Sequence, residues 1–147
     1  MAKSIKKILS LCCVFTFLLI SSASAANSIN IEYAPQSSSQ EVGIANTTYT
    51  FDLNKSTGRV DYEASVMGTS GVTQSSVSAN IQRYVGGSWT DVPGSYVIDT
   101  QNSNSASFQR SFYVEKGYLY RMQALYVCYI GSTKYTKTVN TSASSYT

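Results

Sequence analysis

The sequence predicts an all-β protein: an antiparallel β-sandwich of about seven strands, preceded by a cleaved signal peptide. Three observations carry this. The region after residue 25 is rich in Ser, Thr, Tyr and Val and poor in Leu, Ala, Glu and Lys, a balance that favours strands. Its apolar residues recur with period two, so each segment has one face for a core and one for water. Short turn signals built on Gly, Asn and Ser separate these segments, and no helical pattern of useful length follows the leader.

The leader comes first. Lys3, Lys6 and Lys7 precede an apolar run from Ile8 to Ile20, and Ala23-Ser24-Ala25 supplies a small-residue cleavage signal. That order marks residues 1–25 as a secretory signal peptide. The run is too short for a comfortable transmembrane helix, which needs about 20 residues. Leu11 stands before Cys12-Cys13, where a bacterial lipobox wants a small residue, so both cysteines belong to the leader's apolar core. Nothing after Ala25 is apolar enough to span a bilayer, and the expectation is a secreted, extracellular product.

Residues 26–46, with Pro35 and a Ser/Gln run, read as an N-terminal linker or a loose edge strand. Residues 47–140 form the sandwich domain, and 141–147 are a polar tail that frays. Within the domain a strand near Thr48–Leu53 turns at Asn54–Gly58 into a second, where Val60, Tyr62, Ala64 and Val66 alternate with Arg59, Asp61, Glu63 and Ser65. A loop follows, and then Val77, Ala79 and Ile81 alternate with Ser78, Asn80 and Gln82. Gly86-Gly87 tolerates the positive φ of a hairpin turn and leads to a strand near residue 92. The next strand places Ala106, Phe108, Phe112 and Val114 on one parity. Arg110 shares that parity, which calls for a bulge or for an arginine with a buried stem and a wet head. After a turn at Lys116-Gly117, Tyr120, Met122, Ala124, Tyr126 and Cys128 share one face, and Leu119, Leu125, Val127 and Tyr129 the other. Such a strand is expected to be central and covered on both sides. Gly131-Ser132 turns the chain into a last strand near residue 136.

The stretch "KGYLYRMQALYVCY", from Lys116 to Tyr129, resembles strand F of fibronectin type III and immunoglobulin-like domains. That resemblance implies an immunoglobulin-like sandwich in which a tyrosine near the start of the strand bonds back across the corner. Tyr120 fits the role. Tyr126, in "ALYVC", is the rival, but the first bridge cysteine of that pattern has no counterpart after the leader. The leader, the "IQRYVGGSWTDV" hairpin and the "KGYLYR" strand together resemble small secreted proteins of Gram-positive bacteria whose function is uncharacterised. The shared motifs are structural and imply no active site.

Trp89 is the only tryptophan in the chain. It follows Gly86-Gly87-Ser88, with Tyr84 on the other side of the turn, so the expectation is a cross-strand aromatic pair that closes the hairpin and covers the open end of the sandwich. The functional alternative is a stacking platform for a sugar, with Tyr84, Tyr96 or Tyr129 beside Trp89.

Composition removes several chemistries. Three of the eleven basic residues leave with the leader, so eight basic residues face eight acidic ones in what remains. A neutral domain with scattered cations offers no phosphate-neutralising patch, which argues against nucleic acid and against an anionic membrane as partners. There is no histidine, so Ser-His-Asp triads, Cys-His dyads and histidine zinc sites are unavailable within the chain. Cys128 is the only cysteine after the leader and is expected to be buried, the alternative being a thiol open to pairing between chains. Asp61 and Glu63 share a strand face, as a glycosidase pair could, but alternation already explains them as a solvated face. Asp52, Asp61, Asp91 and Asp99 form no recognisable calcium loop.

No catalytic residue, cofactor or metal site is therefore expected. The sequence points to a secreted non-catalytic binding or interaction domain for a protein, peptide or glycan, with Tyr84, Trp89 and Tyr96 as candidate contact aromatics and Tyr120 and Cys128 as structural residues. The alternative is a structural, self-assembling protein that pairs strand edges. A carbohydrate-binding module or a toxin-like effector is a lesser one.

Overall fold

A computed structural model describes residues 42–147. Period-two patterning has its expected consequence there: every regular element is a strand, and every strand pair is antiparallel. The signal-peptide assignment and nearly all of the linker or edge strand at 26–46 lie outside the described residues. β1 (Ile44–Leu53), β2 (Arg59–Gly68) and β6 (Ser105–Tyr113) form one sheet in the order β1-β2-β6. β4 (Ser88–Asp91), β3 (Gln74–Val85), β7 (Tyr118–Ile130) and β8 (Thr133–Asn140) lie in that order in the other. β5 (Val97–Gln101) also pairs with β3, and β9 (Ser144–Tyr146) with β7.

The two sheets enclose one core, as in a sandwich. β2 contributes Val60, Tyr62, Ala64 and Val66, and the facing strands contribute Val77, Ala79, Ile81, Met122, Ala124 and Tyr126. Each large side chain removed from water is worth about 1.5–3 kcal/mol, more than the roughly 1 kcal/mol net of a typical hydrogen bond. Burial therefore drives the stacking, and polar groups only have to be satisfied. Two buried tyrosines meet that condition reciprocally across the core. The Tyr62 hydroxyl donates to the Ser95 carbonyl of the opposite sheet's edge (2.6 Å), and the Tyr126 hydroxyl donates to the Thr48 carbonyl on β1 (3.0 Å).

Among the described residues nine strands replace the seven expected, because both edges of the larger sheet are interrupted at one level. Ile81 and Met122 are cross-strand partners in the centre of that sheet. Beside Ile81 the chain leaves the ladder between β4 and β5, through Pro93-Gly94, and beside Met122 it leaves between β8 and β9. A hydroxyl takes the place of each missing strand. The Ser95 Oγ accepts the Ile81 N–H (3.0 Å) and donates to the Val92 carbonyl (2.7 Å). The Thr141 Oγ1 accepts the Met122 N–H (2.9 Å), while the Thr141 N–H donates to the Met122 carbonyl (2.9 Å). Both Ser95 and Thr141 are buried, which is where an unpaired amide would be costly.

Three expectations change, and at Arg110 one of the two alternatives falls. The tail at 141–147 does not fray, because Thr141 plugs the sheet and β9 pairs with the start of β7. The sandwich begins at Ile44 rather than residue 47. β7 is central, but its outer face is covered only in part: Leu119 and Leu125 are exposed, whereas Val127 is buried. Arg110 makes no bulge: the β2–β6 register runs unbroken past it. Its guanidinium crosses to the interrupted edge and donates to the carbonyls of Tyr96 (2.8 Å) and Gly94 (3.3 Å).

Candidate functional site

The hairpin between β3 and β4 turns on Gly86 and Gly87, with φ of 58° and 87°. Two successive positive φ values suit a two-residue turn whose twist matches that of the strands. The turn sets Tyr84 directly opposite Trp89, with ring centroids 5.2 Å apart and planes tilted by 55°. The aromatic pair expected across the hairpin is thus present, but strand parity places it on the outer face of the larger sheet, opposite to the core. Trp89 closes the hairpin and does not cover the open end of the sandwich.

A polar relay runs across the same face in the next row. Gln82 lies between Asp91 on β4 and Arg121 on β7. The Arg121 Nε–H donates to Gln82 Oε1 (2.9 Å), Gln82 Nε2 donates to Asp91 Oδ1 (2.9 Å), and Asn80 Nδ2 donates to Asp91 Oδ2 (3.0 Å). The Arg121 guanidinium carbon sits 4.3 Å from the centroid of the Trp89 ring. Arg121 thus stacks on the indole and reaches across β3 to do so, a cation–π contact between two half-buried side chains worth about 1 kcal/mol. One row further, Gln123 Nε2 donates to Asn140 Oδ1 (3.1 Å). This part of the face is built from amides, one guanidinium, one carboxylate and two aromatic rings.

The other candidate residues do not join it. Tyr96 is 53% exposed, but it follows the Pro93-Gly94 excursion, and no ring contact among the described residues links it to Tyr84 or Trp89. Tyr129 lies on the outer face five rows from Tyr84, opposite Gln74. Tyr120 is buried, and its hydroxyl donates to the Glu115 carbonyl five residues upstream (2.7 Å), which is the bond expected of a corner tyrosine. Cys128 is fully buried beside the Ser75 hydroxyl, and burial pushes its thiol above the ordinary range.

Two further surfaces carry polar residues. A cleft of about 550 Å³ is lined by Asn46, Met67, Asp99, Gln101, Ser105 and Ser107. Its carboxylate is already engaged, since Asp99 Oδ1 accepts from Gln101 and Oδ2 accepts the Ser107 N–H (3.0 Å). The outer face of the smaller sheet carries Asp52, Asp61 and Glu63. Asp61 pairs with Arg59 (2.8 Å) and accepts from the Ser111 hydroxyl (2.5 Å).

Arg121, Gln82 and Asp91 are the residues that sequence reasoning missed. The signal lay in β7, where Arg121 and Gln123 interrupt the apolar odd-numbered row of Leu119, Leu125, Val127 and Tyr129. No family model matches the chain, and neither a curated protein nor a solved structure does.

Proposed function

We propose that the chain is a secreted, non-catalytic recognition domain with an immunoglobulin-like sandwich, and that it binds its partner on the outer face of the larger sheet. The order β1-β2-β6 opposite β3-β7-β8 parallels strands A-B-E and C-F-G of immunoglobulin-type sandwiches, with β4 added beside β3. The Tyr120 hydroxyl bond to Glu115 supports the same assignment. Secretion is supported by the leader at 1–25, and bacterial origin by the resemblance to small secreted Gram-positive proteins.

The observation that carries the functional part is the Arg121 guanidinium stacked on Trp89 and wired through Gln82 to Asp91. Gln82 is buried and Arg121 and Trp89 are half-buried, so the relay also contributes to folding, by about 0.5–1.5 kcal/mol for each hydrogen bond. What favours recognition is that a three-strand relay holds one cation in a fixed pose before any partner arrives. The non-catalytic part rests on the lack of histidine and the sealed Cys128. The self-assembly alternative needs open strand edges, and three features guard those of the larger sheet. Both edges are interrupted, Arg110 covers one, and β8 carries Lys134 together with Lys137 on core-facing parity.

The test is a screen of the mature protein against immobilised glycans, peptides and cell-surface proteins, repeated with Trp89→Ala. A partner that binds the native protein and is lost in the variant is expected. The absence of any partner above background, together with concentration-dependent association in sedimentation, would replace recognition with assembly.

A further inference from the structure

We propose that Arg121 is the centre of a subsite for the carboxylate of an acidic glycan, a saccharide bearing uronic acid. This deepens the recognition proposed above and rests on it. Three contacts fix the guanidinium before any ligand arrives: Gln82 holds Nε, Trp89 supports the flat face, and Asp91 holds Gln82 in turn. An arginine side chain otherwise loses considerable rotamer freedom on binding, so pre-positioning favours affinity. With Nε engaged, Nη1 and Nη2 remain. Among the described residues neither meets an acceptor, and neither ion pair there includes Arg121. Asp91 is the nearby acid, but its two oxygens accept from Asn80 and Gln82. Two adjacent N–H donors in one plane match the two oxygens of a carboxylate.

The surroundings select a sugar over a peptide. Tyr84, two residues after Gln82, and Leu119, two residues before Arg121, share this face; each is 41% exposed and offers apolar surface to the C–H face of a pyranose. Gln123 and Asn140 lie on the other side and present amides, which donate to and accept from hydroxyls. A peptide bound by strand addition needs a free edge, but β3 and β7 are interior strands whose main chains are already paired. Charge agrees. The opposite face of the sandwich carries Asp52, Asp61 and Glu63 against Arg59, a net negative charge that disfavours an anionic polymer, whereas this face carries Arg121 and Lys134 against Asp91.

The probe is an oligomer of galacturonic acid, compared with its methyl ester and with inorganic phosphate. Trp89 is the only indole, so its emission reports on the subsite directly. Binding is measured for the native protein, for Arg121→Lys, which keeps the charge and loses the fork, and for Lys134→Gln, which removes a charge elsewhere on the face. Circular dichroism and thermal midpoints check that the variants fold. The free acid is expected to bind with a change in Trp89 emission. The methyl ester and Arg121→Lys should each weaken binding by about tenfold or more, and Lys134→Gln by less than about threefold. Failure of the free acid to bind, equal affinity for the ester or for phosphate, or an unchanged Arg121→Lys would each overturn the subsite. A partner that still binds Arg121→Lys overturns this subsite alone and leaves the recognition domain standing. A domain without any partner loses both.

Discussion

Ser95→Ala removes a single oxygen, and the structure shows which groups lose it. Ser95 is fully buried, and its Oγ is the acceptor for the Ile81 N–H, in a gap where no neighbouring strand runs. Ile81 is itself fully buried, so water cannot replace the lost acceptor without opening the sheet. The Val92 carbonyl loses the Ser95 hydroxyl but keeps the Ser95 N–H (3.2 Å), so one group is orphaned rather than two. An unsatisfied buried amide costs about 1–3 kcal/mol. In a domain of this size that lowers the thermal midpoint by roughly 5–20 °C. Thr141→Val is the matched variant on the opposite edge: it keeps the shape of the side chain and orphans the Met122 N–H. Thr141→Ser keeps the acceptor and loses only a buried methyl, so it should cost about 0.8 kcal/mol or less, below Thr141→Val. Urea unfolding gives the free energies, and amide hydrogen exchange shows whether Ile81 and Met122 lose protection in the corresponding variant. If Ser95→Ala and Thr141→Val each cost less than about 0.5 kcal/mol, the hydroxyls are not the partners of those amides, and the explanation of the interrupted edges is wrong.

Tyr120→Phe deletes the bond to the Glu115 carbonyl and should cost about 1 kcal/mol in urea unfolding. Gly87→Ala meets no atom within 4 Å, so its cost is backbone strain alone at φ 87°, about 1–2 kcal/mol in the same assay. Burial raises Tyr62, Tyr120 and Tyr126 above the ordinary value of 10.0, so the folded state holds their protons at a pH where the unfolded chain releases them. Their contribution to stability is complete below about pH 10 and declines as pH rises beyond it. Tyrosinate absorbance from these three should appear together with alkaline unfolding, not before it. Cys128 should resist thiol reagents in the native state and react on unfolding, because it is fully buried and its thiol is held protonated.

The strands of the core were legible because alternation is a local signal. Val60 to Val66 and Val77 to Ile81 each show an apolar face at period two, and both are buried as that period requires. The β3–β4 hairpin was legible because two glycines in succession specify its turn. Ser95 and Thr141 were hidden, since their roles depend on where a neighbouring strand stops, and neither residue type stands out in a chain rich in both. The tail shows the same limit. "TSASSYT" looks like solvent-exposed polymer, yet Thr141 and Tyr146 fold against β7 because that strand extends past β8 and leaves part of its edge unpaired. At the candidate face, Trp89 and Tyr84 were visible as neighbours of a turn. Arg121 is 32 residues from Trp89 in the chain, and only the antiparallel pairing of β3 with β7 brings it within reach. The outer-face Leu119 and Leu125 misled in the opposite direction: apolar residues on both parities suggested a covered strand, whereas they remain exposed beside the proposed subsite.

Amide and indole chemical-shift mapping on the folded protein during titration with the galacturonic acid oligomer tests the proposed recognition face most directly. Shifts confined to the Trp89 indole and to the amides around Tyr84, Arg121, Gln123 and Asn140 are expected, with Asp52, Asp61 and Glu63 undisturbed. Shifts centred on the cleft at Asp99, Ser105 and Ser107 or on the acidic face, or no shifts at all, would contradict it.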